Sequence, residues 1–272
     1  MIDLAAVVTA CINQGAKSLE GTASFRIPLG LQLAWPVIIA TGTFFIWDSP
    51  TFYLIKGKDD LAMKSLRSVR GGYPEVEVEA EINALRVQKD LRQEEEQVPW
   101  TELFKGNNLR RTLLAASVGN FQQLSGIAYA TNYATVFLQQ VAGNQDAFVL
   151  VIGLAILALG GAVVGVFLVD QIGRRTLALT TFAAIFVIDV VIGGLGFADA
   201  TTGQAVPKAI AAFSLMFAFF FAAGFGPLTY VIVGEMSTAR LRNKTSSVAF
   251  LILVAFSTVV TYVLPYISTP SG

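Results

Sequence analysis

The chain has 272 residues, of which 54% are hydrophobic and only 14% are charged. Soluble globular domains carry about 25% charged residues, so a large part of this chain must lie outside water. The 19 basic and 19 acidic residues balance, and the chain has no histidine and one cysteine, Cys11. These counts exclude a basic nucleic-acid surface, an internal disulfide, a cysteine-cluster metal site and catalysis that needs histidine. Composition therefore indicates a membrane protein and argues against an enzyme.

Long uncharged stretches dominate the chain and predict its membrane spans. A helix that crosses a bilayer needs about 20 mostly apolar residues. Six windows reach that length, and a shorter window precedes them: 4–16, 27–47, 112–145, 147–169, 176–198 (with one acid, Asp189), 209–234 and 245–272. The fold class is therefore predicted as all-α transmembrane, with about six full spans and one partial span.

The first window, 4–16, is interpreted as the second half of a helix whose first half is absent. The alternative is a cleaved signal peptide, which carries a basic region before its apolar run. Asp3 lies where that basic region would be. The position of this acid favours the partial helix.

The segment 48–111 is strongly charged and holds 23 of the 38 charged residues of the chain. Two helices with one apolar face each are predicted within it, over 59–70 and 75–96, and Gly71, Gly72 and Pro74 separate them. We expect these helices to dock on the ends of the spans, because their apolar content is too small for a separate domain core.

Basic residues predict how the spans are oriented in the membrane. If six spans alternate in direction, sixteen of the 19 Lys and Arg residues fall on one side, and 11 of those lie in 48–111. The positive-inside rule therefore predicts that the segment 48–111 is cytoplasmic.

Polar side chains are concentrated in the predicted span 112–145, where an unsatisfied polar group costs free energy. Carboxamides offer both donors and acceptors, and tyrosines combine an apolar ring with a hydroxyl group. This mixture suits a neutral polyhydroxylated ligand such as a sugar. The alternative is a set of interhelical hydrogen bonds that only hold helices together. The residues are Gln122, Gln123, Tyr129, Asn132 and Tyr133.

Gly224, Gly226 and Pro227 interrupt the predicted span 209–234. Proline has no backbone N–H to donate and clashes with the preceding turn, so the helix is expected to break there. Broken helices are where many carriers place substrate and hinges, which makes these residues candidate hinge positions. A simple structural kink is the alternative.

Two other spans carry isolated features. Gly161 and Gly165 are four residues apart and predict the close approach of another helix. Asp189 lies in the middle of an apolar window. Its carboxyl group is expected to be neutralised, or to face the interior or water, and a proton relay is the alternative.

Four short motifs follow one another along the chain: Gln122-Gln123-Leu124-Ser125-Gly126, Asp170-Gln171-Ile172-Gly173-Arg174-Arg175, Gly226-Pro227 followed by Glu235, and Leu241-Arg242-Asn243-Lys244. In sequence and in order, these motifs resemble those of the sugar porter family of the major facilitator superfamily. The resemblance is closest to fungal hexose and α-glucoside carriers. It covers the end of helix five to helix eleven of a twelve-helix fold.

The resemblance implies a partial major facilitator superfamily bundle with three parts. Residues 1–47 match the end of the N-terminal half, with part of helix five and helix six. Residues 48–111 match a cytoplasmic loop with short amphipathic helices, and residues 112–272 match helices seven to eleven of the C-terminal half, without helix twelve.

The resemblance also implies transmembrane transport of a hexose or disaccharide by alternating access, in a multi-pass protein of the plasma membrane. The implied partners are a small-molecule sugar and the lipid bilayer, without nucleic acid. No cofactor is implied, and proton coupling is left open. Because helices one to four and helix twelve have no counterpart, the alternative is a truncated, non-transporting fragment that associates with the missing half or with another carrier.

Family positions assign roles to individual residues. Besides the polar residues of the span 112–145, the resemblance adds one aromatic candidate for contact with a sugar, Tyr230. Polar or aromatic family residues are replaced here by Ala128, Ala158, Leu253 and Val254. The residues implied to form salt bridges at a cytoplasmic gate are Asp170, Arg174, Arg175, Glu235 and Arg242.

Overall fold

The computed structural model describes residues 2–19, 21–128, 138, 147–197 and 205–268, and within these ranges it contains helices and no strand. The helices before residue 128 are α1 (Ile2–Lys17), α2 (Ala23–Thr43), α3 (Pro50–Ile55), α4 (Asp59–Val69), α5 (Glu75–Gln97) and α6 (Gly106–Gln122). Those that follow are α7 (Ala147–Ile172), α8 (Arg174–Gly196), α9 (Ala205–Phe220), α10 (Gly226–Met236) and α11 (Arg242–Ser268). The predicted all-α fold class is confirmed.

Five helical stretches in the described ranges are long and apolar enough to cross a membrane: Ala23–Thr43, Ala147–Ile172, Arg174–Gly196, Ala205–Met236 and Arg242–Tyr266. They correspond to five of the six full windows predicted above. The sixth window, 112–145, begins on α6, and residues 129–137 and 139–146 lie outside the described residues. The chain is therefore a multi-pass membrane protein.

The chain divides into two compact units, one made of residues 1–28 and 103–272 and the other of residues 29–102. The second unit has a small apolar core of its own, formed by Leu54, Ala62, Leu66, Val78 and Ile82. The expectation that this segment has too little apolar content for a core is therefore wrong. The core is small because α3, α4 and α5 each contribute only one or two buried apolar side chains.

Polar contacts fix the geometry around this small core. The Ser65 hydroxyl group is buried and donates a hydrogen bond to the carbonyl oxygen of Asp48. Arg70 binds both carboxylate oxygens of Glu81 at 2.9 and 3.0 Å, which joins α4 to α5. This fork-shaped pair holds the pKa of the Glu81 carboxyl below its ordinary value, chiefly through the hydrogen bond from Arg70. Both groups are exposed, so the pair orients the helices more than it stabilises them.

In the larger unit, small residues on α6 allow α10 and α11 to pack closely against it. Ala115 and Ala116 of α6 are buried with Val233 of α10 and Ala249 of α11. A Cβ atom at Gly119 would lie 2.9 Å from the end of the Leu253 side chain, so a larger residue there would force that side chain to move. Without the hydrophobic effect between helices in lipid, such close packing is the main source of association.

The helix α7 crosses the bundle on a face of glycines, as predicted from Gly161 and Gly165. Both glycines are buried. A Cβ atom at Gly161 would overlap the carbonyl oxygen of Phe219, and one at Gly165 would overlap the carbonyl oxygen of Ala223. The backbone of α7 therefore lies directly against the backbone of the span that contains α9 and α10.

We expect Gly165→Ala to lower the thermal stability of the chain in detergent, because its methyl group would overlap a carbonyl oxygen that cannot move without shifting the backbone. Overpacking of this kind costs about 1–3 kcal/mol. The matched control is Gly160→Ala, since a Cβ atom at Gly160, on the same helix, meets nothing within 4 Å. The thermal stability of both variants is measured by heating and monitoring the folded fraction with size-exclusion chromatography. Equal losses of stability in the two variants would contradict the close contact.

Candidate functional site

The first of two helix breaks follows the pair Gln122 and Gln123. The regular α-helix α6 ends at Gln122, and residues Gln123–Ile127 form one turn of π-helix. Within this turn Gly126 has φ 80° and ψ 5°, a left-handed conformation that is unfavourable for residues with a side chain. π-Turns inside α-helices are frequent at functional sites. The break therefore ends the helix directly beside its two glutamines.

The second break lies between α9 and α10, where sequence analysis placed the candidate hinge residues. Residues Phe221–Phe225 form a π-turn, and Pro227 occupies the first turn of α10. A regular α-helix would pair the N–H of residue 227 with the carbonyl of Ala223, and proline has no such N–H. The Ala223 carbonyl oxygen instead lies in the space that Gly165 of α7 leaves open. The predicted interruption of this span is present.

The two other glycines of this break are required by packing. A Cβ atom at Gly224 would lie 2.6 Å from the side chain of Thr181 on α8. At Gly226 it would lie 2.6 Å from the Phe221 ring. A larger residue at position 224 would push the broken span away from α8, and one at position 226 would displace Phe221 within the span itself.

One side chain connects the two breaks. The Gln122 Nε2 donates a hydrogen bond to the carbonyl oxygen of Gly226 at 3.0 Å, across 104 residues of sequence. Gln122 is 3% exposed. Its other polar atom, Oε1, is buried and accepts no hydrogen bond from the part of the chain that the structure describes. Gln122 therefore holds two helices together with its amide group and leaves an acceptor unsatisfied.

A cavity of about 620 Å³ lies beside this hydrogen bond. Its size falls within the range of about 300–1,000 Å³ that is usual for small-molecule sites. Residues from α1, α6, α7, α9, α10 and both breaks line it: Ile2, Asp3, Gln122, Gln123, Ile127, Leu154, Ala158, Phe217, Ala218, Phe221, Ala222, Gly226, Pro227 and Tyr230. The wall is mostly apolar, with a few polar groups converging on one space.

The structure brings together only part of the predicted site. Gln122, Gln123 and Tyr230 line the same cavity as Gly226 and Pro227. Tyr230 is 52% exposed, and its ring packs against Phe250 at a centroid distance of 5.8 Å.

The other predicted positions either fall outside the described residues or do not line the cavity. Tyr129, Asn132 and Tyr133 are outside the described residues. Gly224 does not line the cavity and packs against Thr181 instead. Leu253 and Val254, which stand where the family has polar and aromatic residues, border a separate groove along α11.

Sequence reasoning missed the contribution of α1 to this cavity. Ile2 and Asp3 in its first turn are lining residues, and α1 packs along α7. From the sequence, Asp3 was interpreted only as evidence against a signal peptide. An acid at the edge of an apolar window does not by itself predict which distant helix it will contact.

Two of the five predicted gate residues form an ion pair. Arg174, at the start of α8, donates from Nη1 to Glu235 Oε1, near the end of α10, at 2.5 Å. Asp170, Arg175 and Arg242 are exposed, and within the described ranges the structure gives them no ion pair. The conformation seen here therefore contains one interhelical link of the predicted network.

The acid in the middle of α8 does not face the interior of the described bundle. Asp189 is exposed, whereas its neighbour Ile188 and Ile185 one turn earlier are buried against Phe217 and Phe225. Of the placements expected for this carboxyl group, the described part of the chain shows it turned away from the packed face. Helical spacing explains the difference, since residues 185 and 188 share the packed face and residue 189 is turned out of it.

Comparisons with known proteins agree with the fold and the motifs. The family described as "Sugar (and other) transporter" matches residues 1–272. The high-affinity gluconate transporter ght3 of Schizosaccharomyces pombe is 30% identical over 252 residues, which cover 90% of this chain and 45% of that protein. The hexose transporter HXT10 of Saccharomyces cerevisiae is 29% identical over 259 residues, with 92% and 47% covered. The chain thus spans about half the length of the curated relatives it matches.

A solved structure of the proton:xylose symporter XylE, a major facilitator superfamily protein bound to 6-bromo-6-deoxy-D-glucose, has a similar fold. The TM-score is 0.69 at 19% identity, and the alignment covers 96% of this chain and 54% of that one. The predicted partial bundle of this superfamily is therefore confirmed. The relatives are transporters, which also confirms that the chain is not an enzyme. The chain belongs to the sugar (and other) transporter family.

Proposed function

We propose that this chain is part of a sugar carrier, and that the cavity between its two helix breaks binds a neutral hexose or disaccharide during transport. The observation that carries this proposal is that Gln122, whose Oε1 is buried and unsatisfied within the described part of the chain, is one of the residues that line a cavity of about 620 Å³. An unpaired buried acceptor costs about 1–3 kcal/mol. A sugar hydroxyl group that donates to Oε1 removes that cost, so binding of a polyol is favoured at this point.

The remaining lining groups fit the two faces of a sugar ring. Gln123 offers a second carboxamide, with two donors and two acceptors, and Tyr230 offers a hydroxyl group. The rings of Phe217 and Phe221 form an apolar wall for the C–H face of the sugar. Polar groups that converge on an otherwise apolar cavity determine orientation and specificity in small-molecule sites.

The helix breaks supply the movable part of the proposed carrier. Alternating access rocks one half of such a carrier against the other around a central site. Gln122 is bonded to the backbone of the second break, so movement of α10 changes the position of the glutamine. The Arg174–Glu235 pair joins the ends of α8 and α10 and is proposed to form in one state and break in the other. The other gate residues, Asp170, Arg175 and Arg242, would pair in a different conformation.

Sugar binding is tested with labelled D-glucose and the purified chain. We expect saturable binding, which Gln122→Ala and Gln123→Ala each weaken by about 2- to 13-fold, the equivalent of one lost hydrogen bond of 0.5–1.5 kcal/mol. Only Gln122→Ala should also lower thermal stability, because Gln123 makes no side-chain hydrogen bond in the described part of the chain and Gln122 holds Gly226.

Gln171→Ala is the matched control, since Gln171 is an exposed carboxamide at the end of α7, away from the cavity. Normal affinity in Gln123→Ala, together with lower stability in Gln122→Ala, would assign the glutamines to helix packing alone. Absence of saturable binding by the unmodified chain would overturn the proposed function.

A second candidate function is that of a fragment which does not transport by itself and associates with the missing carrier half. It is considered because alternating access in this architecture needs two halves. The two candidates differ in one outcome. Saturable hexose uptake by cells that contain this chain as their only carrier would exclude the fragment.

The segment 48–111 is proposed to lie on the cytoplasmic side of the plasma membrane, on the basis of its share of the Lys and Arg residues. In a Cys11→Ser background, Lys64→Cys and Lys208→Cys each place a thiol at an exposed position. We expect an impermeant reagent on intact cells to label Lys208→Cys and to spare Lys64→Cys until the membrane is opened. Labelling of Lys64→Cys on intact cells would reverse the orientation.

A further inference from the structure

One carboxyl group faces the cavity. Asp3 in the first turn of α1 is the single charged residue among those that line it. It is partly exposed, and within the described ranges it has no ion-pair partner. Asp3 therefore lines the same cavity as Gln122 and Gln123, with no ion-pair partner among the described residues.

No basic residue of the same helix is close enough to neutralise Asp3. Lys17 is at the opposite end of α1, about 21 Å away at 1.5 Å per residue. Its amine lies 4.9 Å from the centroid of the Phe148 ring on α7. Asp3 thus contributes a negative charge to the cavity, and apolar walls screen that charge less than water does.

The two kinds of acceptor in this cavity act differently on a ligand. The Gln122 Oε1 and the Asp3 carboxylate both accept hydrogen bonds from hydroxyl groups, and the bond to the carboxylate is charge-assisted. A ligand that carries a carboxylate of its own meets repulsion there. A ligand that carries a protonated amine gains attraction.

We propose that Asp3 determines the charge specificity of this cavity, so that it binds neutral hexoses and amino sugars and rejects sugar acids. The inference rests on the proposed function, because it concerns the same site. It gives this chain a different preference from that suggested by the name of the gluconate transporter to which it is 30% identical. Sequence identity of 30% indicates a shared family, whereas the charge of one lining residue, Asp3, determines which ligand charges the cavity accepts.

The test is competition at neutral pH between labelled D-glucose bound to the purified full chain and unlabelled glucose, gluconate or glucosamine. We expect gluconate to bind at least about tenfold more weakly than glucose, and glucosamine to bind at least as tightly as glucose. Asp3→Asn should bring gluconate to within about threefold of glucose and remove any advantage of glucosamine. Asp3→Glu keeps the charge and should keep the discrimination.

Asp189→Asn is the matched control. It removes a carboxylate from the middle of α8, outside the cavity, and should leave all three affinities unchanged. Absence of saturable glucose binding in the unmodified chain would overturn the proposed function and this inference together. Glucose binding with equal affinity for gluconate, or a gluconate penalty that survives in Asp3→Asn, would overturn the inference alone.

Discussion

The hydrogen bond from Gln122 Nε2 to the Gly226 carbonyl oxygen is the contact on which the candidate site depends. It joins two helices at the points where each departs from regular α-helix. A buried carboxamide must satisfy both of its polar atoms or bear the cost of desolvation. Here only the nitrogen is satisfied by the described part of the chain, and the oxygen is left buried and unpaired in a residue that lines a cavity. The same residue thus assembles the site and supplies its acceptor.

Backbone chemistry explains why the second break lies where it does. Pro227 has no N–H to donate to the Ala223 carbonyl, and the span forms a π-turn over Phe221–Phe225 instead of a regular α-helical turn. The carbonyl oxygen of Ala223 is accommodated because Gly165 of α7 has no side chain to fill that space. Proline on one helix and glycine on another are therefore parts of one arrangement. The geometry of a site at such a break depends on both helices, so we expect substitutions at Gly165 to alter the shape of the cavity.

Features that depend on local sequence were predictable. Uncharged windows gave the positions of the spans, Pro227 gave the break, and the spacing of Gly161 and Gly165 gave the packed face of α7. Each of these follows from residues that are neighbours along the chain. The pairing of Gln122 with Tyr230 in one site came from the family resemblance.

Features that depend on how distant helices meet were missed. The hydrogen bond between residues 122 and 226 and the entry of Asp3 into the cavity both depend on the relative position of helices far apart in sequence. The face on which Asp189 lies could not be predicted, because composition shows that an acid is mid-span but not which way the helix turns. The small core of α3, α4 and α5 was missed for a related reason, since one or two buried residues per helix form a core only when three helices meet.

In the proposed site, a hydroxyl group of the sugar donates a hydrogen bond to the Oε1 of Gln122. The most direct measurement is a double-mutant cycle between Gln122 and the ligand, in which the affinities of D-glucose and its monodeoxy analogues are compared for the unmodified chain and for Gln122→Ala. The account predicts that one deoxy position weakens binding to the unmodified chain by about 2- to 13-fold and has no further effect in Gln122→Ala. Equal losses in both proteins at every position would show that no hydroxyl group of the sugar contacts Gln122.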